Sequence, residues 1–257
     1  MPTSWQEGLF AYRYPFDLSE FADSRNYPGW FTCRSDSGDR TATMEFEAHF
    51  RNHAAEFIEP WLEVVFWKIY SQPTGRGDRS TKRVADFFEK ECISPKALWQ
   101  ACNCYIERPR KENFNAFRQL LGLSSQSIAL AATFASFARP DLFPMMDTRI
   151  AKWVGEFMSL HNAADPSAPQ LIRPKFLDTK QSVLVMNDFE FMQVWAHWCR
   201  HQARKLTART ARATFIWRAR DVEMAVFHAW GGRHDRHPRL TLNPLRLAPK
   251  CTFAPAS

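Results

Sequence analysis

The apolar residues of this chain recur at three- and four-residue steps and almost never alternate. Between residues 44 and 71, Phe46, Phe50, Phe57, Trp61, Val64, Val65 and Tyr70 keep that spacing, which places them on one side of a helix. A half-buried strand needs a period of two, and hardly any segment of the chain shows one. The periodicity therefore predicts an all-α fold. Pro60 begins or bends the second of two consecutive helices. Ser80 or Thr81 caps the helix of "STKRVADFFEKE", and Ser94 caps the next, with Pro95 at its first position. Gly122 ends "ENFNAFRQLL", and Pro140 closes the Ala-rich "SSQSIALAATFASFA". "DTRIAKWVGEFMSL", "NDFEFMQVWAHWCRHQARKL" and "DVEMAVFHAWGG" supply three more helices, and 161–181, with Pro166, Pro169 and Pro174, reads as a long loop. Residues 1–45 read as an irregular segment packed on the helical body. Residues 46–145 form one helical lobe containing a hairpin at about 114–135, 146–232 form a second lobe, and 233–257 form a tail.

Charge and cysteine usage narrow the functional classes. A net charge of +7 and a pI of about 9.2 suit a polyanionic partner, because Lys and Arg displace counterions from phosphates. The ten Trp and 22 Phe must be buried or stacked on something flat. Six cysteines lie at 33, 92, 102, 104, 199 and 251 with no C-x-x-C pair, so free thiols in a reducing cytoplasm are expected, without a zinc knuckle or iron–sulfur cluster. His228, His234 and His237 include an H-x-x-H, but no further ligands accompany them and no metal or other cofactor is expected. The longest apolar stretch, "WLEVVFWKIY", is short and carries Glu63 and Lys68, which excludes a transmembrane helix. The N-terminus lacks the basic-then-apolar pattern of a secretion signal.

Two local features bear on chemistry. Leu120-Leu121-Gly122 passes through Leu123-Ser124-Ser125 into a new helix, and such a junction leaves backbone N–H groups that a phosphate can accept. Ser124, Ser125 and Ser127 add hydroxyl donors. A serine-capped corner between two helices accounts for the same residues. Asp147 stands directly before a helix, where a cap alone accounts for it, yet Pro144, Met145 and Met146 give it apolar surroundings. A carboxylate shielded from water is a stronger partner for a developing cation.

Taken together these features resemble the helix-hairpin-helix DNA glycosylase superfamily. The family's hairpin reads approximately L-P-G-V-G-x-K/S-T-A, and "LLGLSSQSIA" keeps Leu120, Gly122 and Leu123 while replacing the proline by Leu121 and the second glycine by Ser124. Met146-Asp147-Thr148-Arg149 closely matches the family's V-D-T-H/R, and "SQPT" resembles its "SQQT", with Gln72 at the position that enters the gap left by an extruded base. The resemblance covers about residues 56–155. It implies two helical lobes with the active-site cleft between them, double-stranded DNA with a flipped modified base as partner, and a monomer in a bacterial, nucleoid-associated cytoplasmic setting.

The implied chemistry is hydrolysis of the N-glycosidic bond. Asp147, ionised, would stabilise the positive charge that grows on the sugar as the bond stretches and would orient or deprotonate water. Members of the family that also nick the strand carry a lysine where this chain has Gln126, so the resemblance implies a monofunctional enzyme that leaves an abasic site. Gly122, Leu123, Ser124, Ser125, Ser127, Gln72, Thr148, Arg149, Lys152, Arg204 and Lys205 are the expected DNA contacts. Trp61, Trp67, Tyr70, Trp195 and Trp198 are the candidates for a base pocket, although each ring can equally serve the core. Residues 195–220 carry seven Lys or Arg and no acid, a track for the DNA backbone. The substrate ranges over damaged bases of repair and bulky modified cytosines, such as a glucosylated one in phage DNA removed in an antiviral role. The alternative is a non-catalytic DNA-binding protein that keeps the fold.

Overall fold

A computed structural model describes residues 4–12, 39–70, 76–123, 128–180, 183–209 and 215–230. All regular structure among them is helical. The α-helices are α1 (Trp5–Phe10), α2 (Arg40–His53), α3 (Glu59–Tyr70), α4 (Arg76–Lys90), α5 (Pro95–Glu107), α6 (Lys111–Leu120), α7 (Ala129–Ala138), α8 (Thr148–Ala164), α9 (Phe189–Arg209) and α10 (Ala219–Ala229). Short 3₁₀ turns at Lys175–Asp178 and Met186–Asp188 join α8 to α9.

Local chemistry accounts for most helix ends. Ser94 Oγ accepts the Ala97 amide at 3.1 Å, with Pro95 opening α5, and Asp39 caps α2 by accepting from Ala42 at 2.9 Å. Pro60 sits in the first turn of α3, where its missing N–H costs no helical bond. Three expectations need correction. The N-terminal stretch is not wholly irregular: Ser4 and Glu7 form a reciprocal capping box that starts α1, and α2 already begins at Arg40. The helix placed at Ser80 or Thr81 starts earlier, at Arg76, so neither residue is its cap. The loop expected from 161 begins only after Ala164. The C-terminal tail from residue 231 lies outside the described residues.

Helices α2, α3, α5, α6 and α7 pack on one another, with α4 laid against α3; α10 packs on α1, α8 and α9. Rings fill both groups. Phe46, Phe50, Trp61, Trp67, Phe117, Phe134 and Phe137 meet edge-to-face or tilted between α2, α3, α6 and α7. Each such ring, fully buried, contributes roughly 2–3 kcal/mol of transfer free energy. The small residues of α7, every one of them buried from Leu130 to Ala138, let these rings approach its backbone. Gly155 in α8 leaves room for the Leu177 side chain, whose tip a methyl there would meet.

The second group centres on an aromatic nest. Trp5, Trp153 and Trp198 surround His161, with ring centroids 6.1, 5.0 and 5.5 Å from it. His161 is 3% exposed, and burial lowers its pKa to about 4. The imidazole is therefore neutral in the folded protein at neutral pH, whereas the unfolded chain takes up a proton near its ordinary value of 6.5. Unfolding then binds a proton between these values. Stability is fully present above about 6.5 and is lost as the pH falls towards about 4. Urea titrations should show unfolding free energy about 2 kcal/mol smaller at about pH 5 than above pH 7. His197, also lowered by burial, adds to the same sign. His161→Phe should remove most of this dependence, and an unchanged pH slope in that variant would exclude His161 as its source.

Candidate active site

The segment between α7 and α8 carries Asp147, and its neighbours fix its course. Arg139 pairs with Asp141 through two hydrogen bonds, the Leu142 and Phe143 amides return to the Arg139 carbonyl, and the Pro140 carbonyl accepts from the Arg220 amide at 2.9 Å. The Met145 carbonyl accepts from Trp195 Nε1 at 3.2 Å. Phe143, Met145 and Met146 are buried, so the chain reaches the start of α8 over an apolar floor.

Asp147 itself is half-buried. Its Oδ1 accepts the backbone N–H groups of Arg149 and Ile150, both at 2.9 Å, which makes it the N-cap of α8. Among the described residues no hydrogen bond engages Oδ2. One oxygen thus holds the helix, and the other has no hydrogen-bond partner among the described residues.

A cation shares this site. Lys68, on the last turn of α3, is half-buried, with Nζ 3.8 Å from Met145 Sδ. Desolvation lowers its pKa to about 8, the Asp147 carboxylate works against the shift, and the guanidiniums of Arg220 and Arg149 add to it. Arg149 is half-buried, with its guanidinium 5.1 Å from the Phe227 ring centroid. Lys68 is the functional candidate that sequence reading missed. The signal was present: one lysine in the apolar run "VVFWKIY" of a helix otherwise given to the core.

Behind the site lies a buried charge network. Arg218 bonds Glu47 and Asp221, Arg40 binds Asp221 through two bonds at 3.0 Å, and Arg220 pairs with Glu223 and lies near Glu47. Arg220 Nη2 also donates to the Tyr12 hydroxyl at 3.4 Å. Glu47, Asp221, Glu223 and Arg220 are at most 1% exposed. Burial pushes the Glu47 carboxyl up against the pull of Arg218 and Arg220. At Asp221 the same desolvation is outweighed by Arg218 and Arg40, and its carboxyl is held down. Helix α10 thereby joins α2 and Tyr12 to the neighbourhood of Asp147.

The remaining expected site residues divide. Thr148 is half-buried beside Asp147, and Lys152 and Arg204 are exposed. Lys205 is corrected: it donates to Asp165 at 2.6 Å, and Asp165 also accepts from Ser167 and pairs with His201, so this lysine ties α9 to the loop after α8. Desolvation of Asp165 is outweighed by these bonds, which hold its pKa down to about 2. Trp61, Trp67, Trp195 and Trp198 are corrected as pocket walls: all are at most 4% exposed and are enclosed by other rings. The Tyr70 side chain, Gln72, Ser124, Ser125, Gln126 and Ser127 lie outside the described residues.

At the hairpin, Gly122 has φ of 67°, in the left-handed region, and ends α6 in a Schellman arrangement. Its N–H donates to the Gln119 carbonyl and that of Leu123 to the Arg118 carbonyl, both at 3.0 Å. These two donors are spent within the turn, while the amides at the start of the next helix, expected to meet a phosphate, lie outside the described residues. A side chain at Gly122 would also strike the Phe87 ring, with Cβ 2.7 Å from Cδ1. Among the described residues no group of three or more His, Cys, Asp or Glu side chains could hold a metal ion, and no helix is long and apolar enough to cross a membrane. No protein family, curated protein or solved structure matches this chain in comparison.

Proposed function

We propose that the protein is a DNA N-glycosylase that hydrolyses the bond between deoxyribose and a damaged or modified base. The observation that carries this reading is the half-buried carboxylate of Asp147, held by the α8 N-terminus through one oxygen, with no hydrogen bond to the other among the described residues. As the glycosidic bond stretches, the sugar gains oxocarbenium character, and an anion fixed nearby in partly dry surroundings lowers that barrier without reorganising. Water then completes C1′, the base departs and an abasic site remains. Flipping the nucleotide out of the duplex costs a few kcal/mol, to be offset by contacts to the flanking backbone. The net charge of +7 and the exposed Lys152 and Arg204 favour such contacts.

The base is best identified by offering many. Purified protein incubated with duplexes carrying alkylated, deaminated and oxidised bases, and with phage DNAs with and without glucosylated cytosine, should release one class of nucleobase detectable by mass spectrometry. Release confined to glucosylated phage DNA would place the enzyme in defence; release of a lesion would place it in repair. Salt-sensitive duplex binding with no base released from any substrate would overturn the enzymatic reading in favour of a binding protein.

A further inference from the structure

We infer that Arg200 and Arg204, one turn apart on α9, form a phosphate-binding site that holds the DNA backbone beside the segment leading to Asp147. The inference deepens the glycosylase reading and rests on it for the identity of the partner. It also narrows the basic track expected over residues 195–220. Lys205 is given to Asp165, and Arg218 and Arg220 are given to the buried network. Arg212 lies outside the described residues. Arg200 and Arg204 stand apart: among the described residues no hydrogen bond or ion pair engages either guanidinium.

Arg200 is half-buried, and its surroundings withhold a counter-ion. Asp141 is near enough to act on its charge, but Arg139 takes both carboxylate oxygens, at 3.0 and 2.8 Å, and Arg51 draws on the same charge. The Tyr105 hydroxyl, also close, accepts from Gln193 Nε2 at 3.3 Å. Exposed Arg204 brings a second positive charge where a negative one is wanted. Like charges four positions apart on a helix repel, and a partly desolvated cation without a counter-ion costs free energy. An anion from outside relieves both terms at once. Phosphate suits the pair, because each guanidinium fork donates two parallel N–H bonds to its oxygens.

The position of the pair favours a DNA strand as the source of that phosphate. Trp195 of α9 donates to the carbonyl of Met145, two residues before Asp147, and Arg200 lies by Asp141 of the same segment. Helix α9 therefore runs along the segment that delivers Asp147. Arg200 and Arg204 stand roughly 8 and 14 Å farther along the helix than Trp195, from the axial rise of each residue. That span covers a few nucleotides of strand, so the arginines meet the flanking backbone and not the flipped sugar.

Fluorescence anisotropy with an unmodified duplex, followed over a range of salt, tests the site without any base release. Arg200→Gln and Arg204→Gln should each flatten the dependence of log affinity on log salt by a slope of about 1, and the double variant by about 2. Replacing both by lysine should keep the wild-type slope with weaker binding. Lys82→Gln, which removes the same charge from the exposed face of α4, should leave the slope unchanged. The urea midpoint of Arg200→Gln should stay at the wild-type value or rise, because no bond within the described fold is lost; a clear fall would make Arg200 a structural residue and overturn the site. An unchanged slope in the double variant, or an equal loss in Lys82→Gln, also overturns it. Inorganic phosphate at constant ionic strength supplies the other source: stabilisation that needs both arginines, with duplex slopes unaltered in the variants, would assign the site to a free phosphate and overturn the DNA assignment. Base release with an unchanged slope in the double variant sinks the site alone, whereas a flattened slope with no base released from any substrate sinks the glycosylase reading alone.

Discussion

Asp147→Asn should lower base release by about 10³-fold, the scale lost with a principal electrostatic or general-base group. The substitution separates two duties of one side chain. Asparagine is as good an N-cap as aspartate, and its amide oxygen can accept the same Arg149 and Ile150 amides. Folding free energy should therefore change by about 1 kcal/mol or less, the part owed to charge at the helix terminus. Asp147→Ala removes the cap as well and should cost about 1 kcal/mol more. Rates of base release, with urea unfolding measured on the same samples, give the comparison. Wild-type turnover in a well-folded Asn variant would leave Asp147 as a cap and nothing else.

Arg220→Ala should destabilise the fold by about 3–5 kcal/mol, among the largest effects available to one substitution here. Arg220 is fully buried between Glu47, Glu223 and the Tyr12 hydroxyl. Removing it strands the Glu223 carboxylate in the interior and leaves Glu47 with Arg218 alone, and breaking a buried pair from one side costs far more than the pair itself contributes. Joint replacement of Arg220 and Glu223 by methionine should recover a good part of the loss, because volume is kept and one stranded charge is gone. Denaturant midpoints of both variants check this; a loss under about 1 kcal/mol for Arg220→Ala would mean that water reaches the network and screens it.

The helices were readable because their punctuation is local. Ser94-Pro95, Pro60, Gly122 and Asp147 act within one or two turns of themselves, and each stands where the sequence places it. Helix α1 escaped notice because a six-residue helix offers too few positions to show a period, and its Ser4–Glu7 box is its main signal. The aromatic residues could not be sorted by sequence. A ring that stacks on a base and a ring that fills a core have the same spacing, and only burial separates Trp61 and Trp198 from pocket walls. Lys205 likewise looked like part of a basic face, because its partner Asp165 is forty positions away. Lys68 and Arg220 depend on three helices meeting, and no period within one helix reports that.

The ties from Arg40 and Glu47 to the 218–221 stretch span more than 170 positions. During translation, the segments bearing Lys68 and Asp147 emerge well before the helix whose arginines flank them. A nascent chain halted before residue 218 would hold Glu47 with no guanidinium opposite it from that stretch. The charge network behind Asp147 is therefore completed late, when the last described helix docks, and shorter nascent chains would hold Glu47 without that part of it.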